Sequence, residues 1–367
     1  MSDERVDPKP AIGKPASPAF GEKSGEKVQL HIGEWKDGRW SYLYGDDTDY
    51  KDAEFDLEDV RRAAKDAREG ELPKIIQGPI LNPPVWTWEV PLYFWFGGIA
   101  AGSSFVALAC DLAGDERSAA VARKVALGAL GPSPVLLILD LGRPERFVNM
   151  LRIFKPRSPM SMGAWALTLF GNLAAGAVGA DLLGRRRLAQ RLGASNAIVG
   201  GYLGSYTGVL LASTAVPVWA RSRLFLGPIF VCTAAATGAA ACRLALVADG
   251  LPVGHPTRRA LGTVETAAMA AELGLSIVNE RRLGELASGL KEGRPGTLFK
   301  AAKWSVRVGL SLRFARKRGG PCVHHVASVL YLAAGLMFRY AWVGAGRHSA
   351  SHDDVVAKMA REGRSLT

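Results

Sequence analysis

Clustered metal ligands are what this sequence most plainly lacks. Its four cysteines, Cys110, Cys232, Cys242 and Cys322, are scattered over the 367 residues, with no Cys-x-x-Cys pair. An iron–sulfur cluster or a structural zinc site needs grouped thiolates, so neither is expected, and a disulfide framework has no support. Histidine is also sparse. His31, His255, His348 and His352 fall in polar segments, and the two that touch an apolar run, His324 and His325, are adjacent and point to different faces. Facing axial ligands for a haem are therefore wanting. No apolar stretch occurs in residues 1–27, so no cleavable leader is expected and insertion relies on the first spanning helix.

Acidic charge is scarce after residue 80. Residues 1–80 carry 13 basic and 18 acidic side chains, a net of −5, against 33 basic and 16 acidic in the rest, a net of +17. The cations sit in short loops between apolar runs, as residues flanking membrane helices do, so the basic balance is not a nucleic-acid footprint.

What the chain has in quantity is long apolar runs. From Pro91 to Cys110 twenty residues pass without a charge. Further spans are predicted at about 119–139, 160–180, 195–217, 224–247, 261–279, 298–314 and 323–343. The expected fold is an all-α integral membrane protein: an eight-transmembrane-helix bundle over residues 81–350, a small polar N-terminal extension over 1–80 and a polar tail over 351–367. Arg123 and Lys124 start the second span, where they can snorkel, and Gly131-Pro132-Ser133-Pro134 predicts a kink within it. The steps Gly98/Gly102 and Gly200/Gly204/Gly208 provide close-approach surfaces for helix packing. Orientation is not legible, since the Lys and Arg of the connecting loops divide about evenly between the two faces.

Within the extension, residues 1–27 read as a disordered lead. Residues 28–44 alternate around Asp37-Gly38, a hairpin signal, and 52–69, with Phe55, Val60, Ala63, Ala64 and Ala67 among charges, read as an amphipathic helix. Two roles fit these residues equally: a small surface subdomain, or a docking arm for a water-soluble partner.

The sixth and seventh spans are charged. Glu265 and Glu272 are seven apart and share a helix face, and Lys300, Lys303 and Arg307 share another. Opposed across a helix pair they would neutralise one another; alternatively both segments lie in the interface as amphipathic helices. The densest polar segment joins spans two and three, from Asp140 through Arg143, Arg146, Asn149, Arg152, Lys155 and Arg157 to Ser158-Pro159. In an eight-helix protein it shares a face with Trp86, Trp88 and Glu89 at the start of span one. One reading is a basic interfacial loop with an acid as counter-ion beside an ordinary aromatic belt. The other is a site for a lipid-soluble two-electron, two-proton carrier. A quinone needs an apolar slot, hydrogen-bond partners for two oxygens and a proton exchange group. Glu89 and Asp140 can take protons, with Arg143 or Arg146 tuning them, and Tyr206, in Gly204-Ser205-Tyr206-Thr207-Gly208, can bond a quinone oxygen or simply pack.

Three blocks carry a family resemblance: Trp88-Glu89-Val90-Pro91-Leu92-Tyr93 continuing to Gly102; Asp140-Leu141-Gly142-Arg143-Pro144 with Arg146-Phe147; and Lys155-Pro156-Arg157-Ser158-Pro159-Met160-Ser161 continuing to Trp165. They resemble the NrfD-type membrane subunits of the polysulfide reductase family, and Phe338-Arg339-Tyr340-Ala341-Trp342 looks like that family's last helix. The likeness covers roughly residues 80–350. It implies a quinone- or quinol-reactive anchor of a multi-subunit molybdopterin/iron–sulfur oxidoreductase in the cytoplasmic membrane. Such an anchor takes part in electron transport without holding a cofactor covalently or through metal ligands. A ferredoxin-like iron–sulfur subunit would dock near Arg146, Arg152, Lys155 and Arg157 and wire it to a molybdopterin catalytic subunit. Glu89, Asp140 and Arg143 would form the polar rim of the quinone site, with Tyr206 in the family's Tyr-Thr-Gly element. Two alternatives remain: an ion- or proton-translocating subunit using Glu265, Glu272, Lys300, Lys303 and Arg307, and a passive anchor.

Overall fold

The structure is a computed structural model that describes residues 28–29, 54–55, 61, 65, 81–140, 147–314, 320–352 and 356. The lead at 1–27, the Asp37-Gly38 turn, Arg143 and Arg146 lie outside these residues, as does nearly all of the tail beyond 352. Two short strands, β1 (Val28–Gln29) and β2 (Glu54–Phe55), pair antiparallel, Val28 opposite Phe55 and Gln29 opposite Glu54. The partner of Val28 is therefore some 25 residues away rather than across the local turn, and Phe55 is in a strand rather than a helix; Arg61 and Lys65 are helical. This strand pair belongs to one compact unit of the chain and the long helices to another.

In the helical unit, α1 (Glu89–Leu112) is followed by α2 (Glu116–Leu130), α3 (Pro132–Asp140), α4 (Phe147–Arg152), α5 (Pro159–Leu182), α6 (Arg186–Ala212) and α7 (Pro217–Arg221). Then come α8 (Arg223–Ala248), α9 (Pro256–Leu283), a 3-10 turn (Gly284–Ala287), α10 (Ser288–Lys291), α11 (Gly293–Phe314) and α12 (Gly320–Ala350). Long helices thus stand at all eight expected positions. Six are long and apolar enough to cross a membrane: α1, α2–α3 taken together, α5, α8, α9 and Cys322–Ala350 of α12. The chain is a multi-pass, all-helical membrane protein in its described core. The exceptions are α6 and α11. Five glycines, two tyrosines, Asn196 and Ser205 dilute the apolar content of α6, because its inward residues are chosen for close approach rather than greasiness. In α11 the cause is charge.

Sequence chemistry sets the boundaries. Asp115 caps α2 by accepting from the Ser118 amide at 3.1 Å, and Ser158 caps α5 ahead of Pro159, whose missing N–H is no loss in a first turn. The turn into α2 passes through Gly114 at φ +75°, a left-handed conformation that favours glycine. The predicted kink falls where α2 stops and α3 starts, either side of Gly131, since the prolines cannot complete the helical ladder.

At the core of the bundle α1, α6 and α8 meet along glycines. A Cβ on Gly102 would collide with the Ala234 carbonyl, and one on Gly238 with the Gly102 backbone. Gly200 faces Ser104 and Gly208 faces the Leu226–Gly227 peptide. Lipid tails are as apolar as leucine, so backbone contact of this kind, rather than burial from water, holds the helices. Because Gly98 and Gly102 lie against Ala234 and Gly238 in the same order, α1 and α8 run parallel, and Glu89 is at the opposite end of the bundle from Asp249.

Arg123 does not snorkel. It is buried, and its guanidinium donates to Asp111 at 2.7 Å and in a fork to Asp181 at 2.6 and 2.9 Å. Two carboxylates from the ends of α1 and α5 give the cation partners inside the protein, so reaching for water gains nothing.

Candidate functional site

The start of α1 carries a periodic face. Val90, Tyr93, Phe94 and Gly97 all turn inward, and Tyr93 lies four residues beyond Glu89, one turn along the helix. Tyr93 is 6% exposed and Glu89 9%. Thr87 donates its hydroxyl to the Glu89 carboxylate, and the Tyr340 hydroxyl donates to the Trp88 carbonyl at 3.0 Å, pinning the helix start to α12. Trp86 stacks on Trp219 with ring centroids 5.1 Å apart and meets Phe94 edge-on at 6.2 Å. The Trp219 indole in turn donates to the Trp342 carbonyl at 2.8 Å. These tryptophans are anchored in the protein rather than forming a loose belt.

A narrow cavity opens beside this platform. Trp86, Tyr93, Asp140, Met150, Met160 and Tyr206 contribute to its walls. Asp140, half-buried at the end of α3, lies close enough to Glu89 for their charges to interact. Among the described residues neither carboxylate has a cation partner. Tyr206 is 3% exposed, and its ring lies 5.7 Å from that of Tyr202. The space for the phenol comes from Gly163 on α5, where a Cβ would strike the Tyr206 ring and hydroxyl. Gly204 and Gly208 do other work: they seat α6 on α1 and α8. The cavity has room for about 40 Å³, little more than one water.

Glu89, Asp140 and Tyr206 are thus gathered at one site. Arg152, Lys155 and Arg157 are exposed on the adjoining segment, together with Val148, Ile153 and Phe154. Sequence reasoning missed Tyr93 and Gly163 as parts of the site, although the spacing of four from Glu89 was a readable signal for the first. Nothing in the sequence pairs Gly163 with Tyr206, since their helices meet only in the fold.

The charges of α9 and α11 are arranged differently from the expectation. Glu265 is fully buried and takes Arg313 and Ser328 as partners, and Glu272 accepts from Ser276 at 2.8 Å. Lys303 pairs with Glu280 at 2.5 Å. Lys300 and Arg307 are exposed, with Arg307 over the Trp304 ring. Among the described residues the three α11 cations form no direct ion pair with Glu265 or Glu272, because the inward stripe of α11 is Gly296, Phe299, Ala302, Val306 and Gly309 and its cations flank that stripe. Glu272 nevertheless faces the charges of both the buried Arg339 of α12, which lies over the Phe230 ring at 4.0 Å, and Lys303, which lines the same small cavity as Glu272.

Comparison of the chain with curated proteins gives no match. The family model described as polysulphide reductase, NrfD, matches residues 80–278, more than half of the chain. The matched stretch runs from just before Trp86 into α9 and so contains Glu89, Asp140, Gly163 and Tyr206, whereas the Phe338–Trp342 block lies beyond it. The chain belongs to the NrfD family of polysulphide reductase membrane subunits.

Proposed function

We propose that this protein is the quinone-reactive membrane subunit of a multi-subunit oxidoreductase, exchanging electrons between the membrane quinone pool and an iron–sulfur partner. The observation that carries the reading is the cavity in which a buried phenol, Tyr206, faces a half-buried carboxylate, Asp140, with Glu89 alongside. An apolar wall of Trp86, Phe94 and Leu210 suits a quinone ring, the phenol suits one of its oxygens, and the two carboxyls suit proton exchange at the membrane surface. Reduction of a quinone to a quinol takes two electrons and two protons. In this scheme the electrons come from the iron–sulfur partner, and Asp140 and Glu89 relay the protons to the two quinone oxygens.

The partner is a ferredoxin-like iron–sulfur subunit docking on the exposed Arg152, Lys155 and Arg157 with Ile153 and Phe154, and on Arg146 beyond the described residues. A molybdopterin subunit behind it carries the substrate chemistry, and the present chain binds no metal or covalent cofactor of its own. In this reading all eight long helices cross the cytoplasmic membrane, α6 and α11 sheltered by their neighbours, with 1–80 as a polar extension and 351–367 as a tail.

The test uses the purified assembly. Glu89→Gln and Asp140→Asn are each expected to lower quinone-linked turnover at least tenfold while dye-linked activity of the catalytic subunit is retained. Unchanged quinone turnover in both variants would overturn the assignment.

A second reading rests on Glu272 and Arg339, respectively 4% and 2% exposed deep in the bundle, since ionisable groups there often mark ion paths. It predicts proton flux in proteoliposomes that Glu272→Gln abolishes, whereas a passive anchor shows neither flux nor saturable quinone binding.

A further inference from the structure

A cavity of about 560 Å³ lies at the other end of the bundle, where α8 and α11 end and α9 and α12 begin. It is far roomier than the tyrosine cavity and within the usual range of ligand sites. Four arginines from three helices converge on it, Arg243, Arg258, Arg259 and Arg313, together with His324. Glu265 is the one described acid among them: it pairs with Arg313 and, through the shared Ser328 hydroxyl, also faces Arg243, while Arg258 and Arg259 have no described ion pair, so the arginines outnumber the acid. The described hydrogen bonds of Arg243 and Arg258 go to neutral oxygens. Arg258 donates to the Leu251 carbonyl at 2.6 Å, and Arg243 to the His324 carbonyl and Ser328 hydroxyl, both at 2.7 Å. The Nε–H groups of Arg243, Arg258 and Arg313 remain without acceptors although buried. Arg243 and Arg258 are only 4% and 5% exposed, so this is a built concentration of positive charge rather than a solvated fringe.

Uncompensated cations held together inside a protein are costly unless an anion joins them. Guanidinium groups converging from several directions match the oxygens of a phosphate. Below the arginines the wall continues along α9 through Thr266, Ala267 and Ala270, small residues of which both alanines are exposed on the outer surface of the bundle. Val253 and Phe314, 56% and 83% exposed, flank the opening. We infer that this cavity binds a phosphate-bearing anion, and the apolar wall running from it along α9 identifies the bearer as an anionic phospholipid, headgroup among the arginines and acyl chain along Ala267 and Ala270. Basic pockets between membrane helices take such headgroups. This site is separate from the proposed quinone cavity and does not depend on it.

The experiment titrates the delipidated full-length protein in a neutral detergent with phosphatidylglycerol, phosphatidylcholine or inorganic phosphate, reading bound mass by native mass spectrometry and the thermal midpoint. Phosphatidylglycerol is expected to bind at least tenfold more tightly than phosphatidylcholine and to raise the midpoint. Arg259→Gln, an exposed position expected to fold normally, should weaken phosphatidylglycerol several-fold, and Ala270→Trp should weaken it by obstructing the acyl groove. If inorganic phosphate alone gives the full stabilisation and Ala270→Trp is without effect, the phospholipid assignment is overturned in favour of the free ion. Equal affinity for the two lipids, no response to phosphate and no effect of Arg259→Gln would overturn the anion site altogether.

Discussion

The two ends of the bundle carry similar side chains and put them to different uses. At the α1–α2 turn end, Arg123 is saturated by Asp111 and Asp181, and Asp115 is held by Ser118 and Thr257, so charges tie α1, α2, α5 and α9 together. At the Glu89 end, Asp140 and two phenols line a narrow cavity with Glu89 nearby, and among the described residues no cation pairs with either acid.

The largest loss of stability belongs to the Arg123 cluster. Arg123→Ala strands Asp111 and Asp181 in the interior and is expected to cost about 3–5 kcal/mol, read as a lower thermal midpoint in detergent. Asp140→Asn should lower that midpoint less, because Asp140 has no ion pair among the described residues.

Gly163→Ala addresses the other end. Its Cβ displaces the Tyr206 phenol, with an overpacking penalty of about 1–3 kcal/mol. The expected readout is lost quinone-linked turnover in an assembly that still forms. Tyr206→Ala in the Gly163→Ala background removes the ring atoms that the added Cβ would strike, so it should cost less stability there than in the wild type, without recovering turnover.

The smallest effect concerns acid. Burial pushes the Asp115 carboxyl upward, but the hydrogen bonds from the Thr257 hydroxyl and the Ser118 amide, with His255 nearby, outweigh it and hold the group below the usual carboxylate range. A depressed folded value means that its stabilisation is present above about pH 4 and is lost as pH falls through the folded value. Thr257→Val should lower stability at neutral pH by about 0.5–1.5 kcal/mol and flatten the midpoint's decline below pH 4, as followed by thermal melts across a pH series.

Helix positions were legible because charge-free runs and Pro/Gly punctuation are local properties. The Gly131 break, the Ser158-Pro159 start of α5 and the placing of Glu89 and Asp140 at helix ends all follow from short stretches of sequence. Partners were not legible. Arg123 looks like a snorkelling cation until α5 brings Asp181 to it, and Lys300 and Arg307 look like counter-ions for α9 until α11 turns another stripe inward, whereas Lys303 does meet α9, at Glu280 rather than Glu265 or Glu272. The span pattern of α6 was blurred for a related reason: the glycines that let it touch α1 and α8 also lower its hydropathy. Pairing across helices is a property of rotation and register, which a single sequence constrains only weakly.

Photolabelling of the purified assembly with an azidoquinone, followed by mapping of the modified peptides, tests the central claim most directly. The account predicts label on the Trp86–Phe94, Met150–Ala164 or Tyr206–Leu210 stretches, competed away by excess unlabelled quinone. Label confined to α9 and α11, or labelling that competitor leaves unchanged, would contradict it.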